Sequence, residues 1–216
     1  MVQEGREEGE KMYYPLMLDL SQFKCLVIGG GEVACRKVKS LLAYGGKVTV
    51  LSEKFAPELE ELPIERISAS FEEKYLESYC KVFSLVIAAT SDKLCNSRIG
   101  IYCKKHHVLC NVATDEALSS FIVPSSLQRG NLVIAVSTGS NSPALAAKIR
   151  QELEERYDED FAEYVEKLGQ LRQKIKAEVT DESMRRRLLR YIVALDEAEV
   201  MQLEYKDLAY VKDLNS

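Results

Sequence analysis

The stretch Lys24–Lys37, KCLVIGGGEVACRK, restricts the fold more than any other part of the chain. An apolar run passes through three successive glycines into a segment with helical periodicity. Such a junction hands a buried strand directly to a helix, which is how a βαβ unit begins. The alternation then continues. EVACRKVKSLLAYGG reads as an amphipathic helix that stops at Gly45-Gly46. KVTVLSE is a second strand, FAPELEELP a turn, IERISAS a weaker strand and FEEKYLESYC a polar helical stretch. VFSLVIAAT is a strongly apolar strand, DKLCNSRIGIYCKKHH a helix begun by an Asp cap, and VLCNVAT a further strand. Strands alternating with helices predict a mostly parallel sheet with helices on both faces, extending to about Val112.

The pattern then changes. SFIVPSSLQRGNLVIAVSTG reads as two strands joined by a polar turn, a hairpin rather than another βα repeat. The residues after it are helical almost throughout, with Ser142 as cap and Pro143 at the first helical position. At least one more helix follows in DESMRRRLLRYIVALDEAEVMQLEYKDLAYVKDL. The expected architecture is α/β: a Rossmann-like parallel-sheet domain over 12–112, a small β segment over 113–150 and a helical C-terminal domain over 151–216.

Gly29, Gly31 and Ala34 fit G-x-G-x-x-[G/A], with Gly30 between the first two. The first glycine permits the tight turn, and the second lets backbone N–H groups approach a pyrophosphate. The small third residue lets helix pack on strand. The helix N-terminus, at Glu32 and Val33, then presents its partial positive charge to the phosphates. Glu53 ends the next strand 22 residues after Gly31, where a carboxylate grips the adenine ribose hydroxyls and repels a 2′-phosphate. This favours NAD over NADP, although the adjacent Lys54 softens that preference. Thr90, in VIAATSD, lies at the carboxyl end of a central strand, where open α/β sheets bind ligands.

Composition narrows the alternatives. The net charge of −5 argues against a general nucleic-acid binder. Six cysteines without a CxxC pair read as reduced thiols rather than a disulfide framework. His106 and His107 are adjacent and point in different directions on any regular element, so no metal site is expected. The opening MVQEGREEGEK is unlike a signal or transit peptide. No apolar run approaches the ~18 residues that a membrane span needs, so a cytoplasmic protein is expected.

Three stretches together resemble the siroheme-synthase dehydrogenase family. They are YYPLMLDLSQFKCLVIGGGEVACRKVKSLLAYGGKVTVLS, LVIAATSDKLCNSRI and CNVATDEALSSFIVPSSLQRGNLVIAVSTGSNSPALAAKIRQELE, in order from Tyr13 to Glu154. Members of that family are precorrin-2 dehydrogenases, and some double as sirohydrochlorin ferrochelatases. The resemblance implies that NAD takes a hydride from precorrin-2 to give sirohydrochlorin. It also implies a homodimer built by the segment after the Rossmann domain, with the active site between subunits. The family usually has an aspartate directly after NV[VA], thought to act as acid/base. Here that place is Thr114, and a carboxylate comes one residue later, at Asp115. Threonine cannot stand in for a proton-accepting carboxylate. Asp115 is therefore the candidate catalytic residue, and Thr114 marks altered or lost activity. Asn111 and Thr114 are candidate substrate contacts.

So are Ser137, Thr138 and Ser142 in VSTGSNSPA, where hydroxyls and free N–H groups before a helix suit the carboxylates of a tetrapyrrole. Arg129, Lys148 and Arg150 are further cations that either bind carboxylate or are solvated, and Arg185-Arg186-Arg187 reads as a solvated helix face. The rival expectation is a non-catalytic NAD-sensing or tetrapyrrole-binding partner that kept the fold.

Overall fold

In the computed structural model, which describes residues 12–208, the first apolar run forms β1 (Lys24–Ile28). The segment read as unlike a targeting peptide, residues 1–11, lies outside the described residues. After β1 come α1 (Glu32–Ala43), β2 (Lys47–Ser52), the short α2 (Pro57–Glu60) and β3 (Glu65–Ser68). Then come α3 (Leu76–Val82), β4 (Leu85–Ala88), α4 (Lys93–Lys105) and β5 (Leu109–Val112). The five strands are all parallel, in the order β3-β2-β1-β4-β5. The strand order reverses between β1 and β4, the point at which doubly wound sheets bind ligands.

Burial explains which strands read clearly. All four residues of β4 and the last four of β1 are buried, because helices cover both faces of the sheet. Alternate residues feed two cores. Cys25, Val27, Val50, Leu85 and Ile87 pack with Ala34 and Val38 of α1. Leu26, Ile28, Leu51, Val86 and Ala88 pack with Leu76 of α3 and Ile99 of α4. β3 is a mostly exposed edge strand carrying Glu65 and Arg66, consistent with its weaker signal. α1 stops where the glycine pair predicts, with Gly46 N–H donating to Leu41 C=O at 2.9 Å and Gly45 N–H to Leu42 C=O at 3.0 Å.

The chain divides into two compact units, one ending at Val123 and the other beginning at Pro124. Residues 113–123 are fastened to β5. Ser120 Oγ accepts the Cys110 N–H at 2.8 Å, and Ser119 Oγ accepts the Val112 N–H at 2.9 Å. The second unit opens with the antiparallel hairpin β6 (Ser125–Arg129) and β7 (Leu132–Val136), on which α5 (Pro143–Arg156) packs. α6 (Phe161–Glu178), α7 (Glu182–Ala194) and α8 (Glu197–Gln202) share a core of Leu171, Ile175, Leu188, Ile192 and Val200. All six cysteines are free thiols.

Candidate functional site

The three glycines have different surroundings. Gly29 adopts φ +123°, and a Cβ there would lie 2.3 Å from the Ala89 carbonyl oxygen. The chain can therefore leave β1 and pass against the end of β4 only with glycine. A Cβ on Gly30 would meet Lys54 O at 2.0 Å and Ser52 Oγ at 2.6 Å. The loop after β2 folds onto this residue, its Ala56 N–H donating to Gly30 C=O at 2.7 Å. A Cβ on Gly31 would meet nothing within 4 Å. The protein's own packing thus requires the first two glycines, while the third borders open space.

Gly31 is also the N-cap of α1, and no side chain caps it. The first helical bond runs from Cys35 N–H to Gly31 C=O at 2.9 Å. The N–H groups of Glu32, Val33 and Ala34 precede that bond and lie outside the helical ladder. Ala34 is fully buried, which lets the helix sit close to the sheet. Open space at Gly31, free donors and the positive end of a helix dipole form a cradle for an anionic group.

Glu53 follows β2 as an exposed carboxylate that accepts a hydrogen bond from Ser70 Oγ. Lys54 has an exposed side chain, and its carbonyl accepts from Ser52 Oγ at 2.7 Å. Thr90 stands beyond β4, its nitrogen 3.0 Å from the place a Gly29 Cβ would occupy. Gly29, Gly30, Gly31, Glu32, Val33, Glu53, Lys54 and Thr90 thus gather at the carboxyl ends of β1, β2 and β4.

Thr90 is held by Asn96 of α4, a fully buried residue that sequence reasoning passed over. Asn96 Oδ1 accepts from Thr90 N–H at 3.0 Å and from Thr90 Oγ1 at 2.8 Å. Its Nδ2 donates to Thr90 C=O at 2.9 Å and to Thr114 Oγ1 at 3.4 Å. The available signal was a carboxamide inside a helix, where asparagine is a poor former unless it bonds elsewhere.

Thr114 is exposed at the end of β5, and Asp115 beside it is half-buried. Asp115 Oδ1 accepts the Ala117 N–H at 2.8 Å, which orients the carboxylate. Asn111 lies within β5, is buried, and donates from Nδ2 to Phe121 C=O at 3.2 Å. Its Oδ1 has no hydrogen-bond partner among the described residues. Tyr13, a second omission, donates its hydroxyl to Glu116 at 2.9 Å. Burial, reinforced by that bond and by the Glu116 charge, pushes the Tyr13 phenol up to about 12.

In the second unit the loop between β7 and α5 uses its hydroxyls internally. Ser142 Oγ accepts the Leu145 N–H at 3.3 Å, Thr138 Oγ1 accepts the Ser142 N–H at 3.0 Å, and Ser137 Oγ accepts the Gly139 N–H at 3.1 Å. Gly139 and Ser140 both have positive φ, +59° and +68°, so the loop turns sharply into the helix. Arg129 serves the fold. Its Nε donates to the carbonyls of Tyr157 and Asp158 at 2.9 and 2.8 Å. Lys148 and Arg150 form i,i+4 pairs with Glu152 and Glu154, and Arg186 pairs with Glu182.

Residues 16–125 match the family described as "Putative NAD(P)-binding", and residues 129–156 match "Sirohaem biosynthesis protein central". The chain is 37% identical over 179 residues to siroheme synthase 1 of Serratia proteamaculans, covering 81% of this chain and 37% of that protein. It is 34% identical over 175 residues to siroheme synthase of Escherichia coli O157:H7, covering 81% of this chain and 38% of that one. The chain thus spans less than two fifths of these relatives' length. Among solved structures it is similar to "SirC, precorrin-2 dehydrogenase", with a TM-score of 0.73 and 26% identity over 93% of this chain and 98% of that one.

Proposed function

The chain belongs to the NAD(P)-binding family whose model spans residues 16–125, and from that membership we propose that it is an NAD-dependent dehydrogenase oxidising precorrin-2 to sirohydrochlorin in siroheme biosynthesis. The observation that carries this reading is the likeness to a precorrin-2 dehydrogenase along nearly the whole of both chains. The cradle is what such an enzyme requires. Gly31 leaves room for a pyrophosphate, and the N–H groups of Glu32, Val33 and Ala34 face it. Glu53 suits the adenine ribose hydroxyls and disfavours a 2′-phosphate.

When bound, the nicotinamide of NAD supplies the acceptor for a hydride. Oxidation of precorrin-2 to sirohydrochlorin would release one proton besides the hydride, and this chain must supply a base for it. Asp115 takes that proton in our reading. Its Oδ1 is fixed by the Ala117 N–H, which orients the carboxylate. Thr90 walls the cofactor side. Asn111 and Thr114 are the first unit's candidate substrate contacts in this reading, and Ser137, Thr138 and Ser142 are the second unit's. Ferrous iron would be a further substrate of a chelatase step and would end on the tetrapyrrole's own nitrogens. Among the described residues no group of three or more His, Cys, Asp and Glu is placed to hold a metal.

The functional segments in this reading are 12–112 for the cofactor, 113–150 for substrate and dimerisation, and 151–216 for the helical domain, of which 209–216 lie outside the described residues. The protein works as a homodimer in the cytoplasm. Leu127 is buried and Arg129 reaches the end of α5, so one face of the hairpin lies toward that helix. The opposite face carries Gln128, Val133 and Ala135, a surface that a second copy can cover. No helix among the described residues is long and apolar enough to cross a membrane.

Anaerobic incubation with precorrin-2 tests the proposal. One NADH should appear for each tetrapyrrole oxidised, with NAD preferred to NADP. Absence of NADH formation would contradict it.

A further inference from the structure

We infer that Asn96 is a positioning residue that ties the cofactor-side loop at Thr90 to the turn carrying Thr114 and Asp115. This rests on the dehydrogenase reading above. Asn96 is fully buried in the first turns of α4, where an apolar side chain would contribute more to packing. It is not needed to start the helix, because Asp92 already accepts the N–H groups of Leu94 and Cys95 at 2.8 and 3.2 Å. Both polar atoms of its carboxamide are engaged, and every side-chain partner lies at a strand end on the ligand side of the sheet.

Three of the four bonds grip Thr90, two to its backbone and one to its hydroxyl. The fourth, from Nδ2 to Thr114 Oγ1, is the longest at 3.4 Å. Thr90 in turn borders the glycine turn, with its nitrogen 3.0 Å from where a Gly29 Cβ would stand. Thr114 immediately precedes Asp115. One rigid, buried amide therefore fixes the distance between the wall of the cradle and the candidate base. A hydride acceptor and a base would act on one substrate, so that distance matters. A misplacement of about 1 Å costs a reaction on the order of a hundredfold.

The test separates the two arms. Asn96→Ala frees Thr90 and Thr114 together, whereas Thr114→Val cuts only the fourth bond and keeps the side chain's shape. Asn96→Ala should weaken NADH binding about tenfold or more, because the Thr90 N–H and hydroxyl lose their partner. Thr114→Val should leave NADH affinity within about twofold and lower kcat about tenfold or more. Thr114→Ser keeps Oγ and should restore kcat. In the Asn96→Ala background, Thr114→Val should cost nothing further in kcat, the signature of two residues acting through one link. A kcat for Thr114→Val equal to wild type, or losses that multiply independently, would overturn the inference. If Asn96→Ala fails to fold, Asn96→Asp, which keeps an oxygen for Thr90 but loses the Nδ2 donor, takes its place in the same comparison. Wild-type protein that binds NADH without oxidising the tetrapyrrole would instead contradict the dehydrogenase reading. The inference is then read on NADH affinity, and equal affinities of wild type and Asn96→Ala sink it.

Discussion

A methyl group added at Gly29 would lie 2.3 Å from Ala89 O on a backbone with φ +123°, whereas one added at Gly31 meets no protein atom within 4 Å. Gly29→Ala should therefore destabilise the fold by about 3 kcal/mol or more, since both strain and a backbone clash must be relieved. Gly31→Ala should cost about 1 kcal/mol at most, the usual penalty for alanine at an N-cap, while weakening NADH binding. Gly31→Asp should abolish binding, because it sets a negative charge against the pyrophosphate. Thermal unfolding and NADH fluorescence titration separate the two effects. Unchanged NADH affinity in Gly31→Asp would remove the cradle from the account.

Tyr13 makes a second prediction at this scale. Its phenol is raised from 10.0 to about 12, so the neutral form is favoured in the folded protein. The stability it contributes is fully present below pH 10 and is lost as pH rises through about 12. The ultraviolet difference between wild type and Tyr13→Phe should show one phenol ionising later than an ordinary tyrosine. A normal titration would mean that the bond to Glu116 is not held in solution. The glycines were legible in sequence because their pattern is contiguous and flanked by a strand and a helix. Asn96 and Tyr13 were not, because their partners are distant in the chain or beyond a strand end, and no local pattern announces a hydrogen bond through space.

Elements were legible in proportion to their length and burial. β1, β4 and α1 carry strong apolar patterns because two cores pull on alternate residues. α2 lies where FAPELEELP reads as a turn, since four residues beginning at a proline show no period. The caps at Asp92 and Ser142 formed as expected, each accepting from the helix's first N–H groups. The same hydroxyls that suggested a substrate loop at Ser137, Thr138 and Ser142 are engaged in shaping that loop. Sequence could not distinguish these uses, because capping and ligand binding call on the same residue types. The hairpin supports a prediction of its own. A two-stranded sheet is marginal alone, and the face bearing Val133 and Ala135 is the surface assigned to a second copy. Ala135→Arg should convert the protein from a dimer, twice 24.4 kDa, to a monomer in light scattering. A wild-type monomer, or a dimer unaffected by the substitution, would contradict that assignment.

At the scale of the whole molecule, the order of strands and helices followed from alternation alone, while the shared core of α6, α7 and α8 did not. Their amphipathic faces announce burial without naming the neighbour that buries them. The central claim is that a Rossmann-type cradle and the carboxylate at Asp115 together perform a dehydrogenation, although Thr114 occupies the place before it. Asp115→Asn tests this most directly. The amide retains an oxygen for the Ala117 N–H, so the turn should persist, but it cannot take up a proton. Anaerobic precorrin-2 and NAD, followed by NADH and sirohydrochlorin absorbance, should show turnover in wild type. In Asp115→Asn, kcat should fall about a hundredfold or more with NADH affinity intact. Equal rates in the two proteins would remove Asp115 from the chemistry, and no turnover in wild type despite bound NADH would contradict the claim itself.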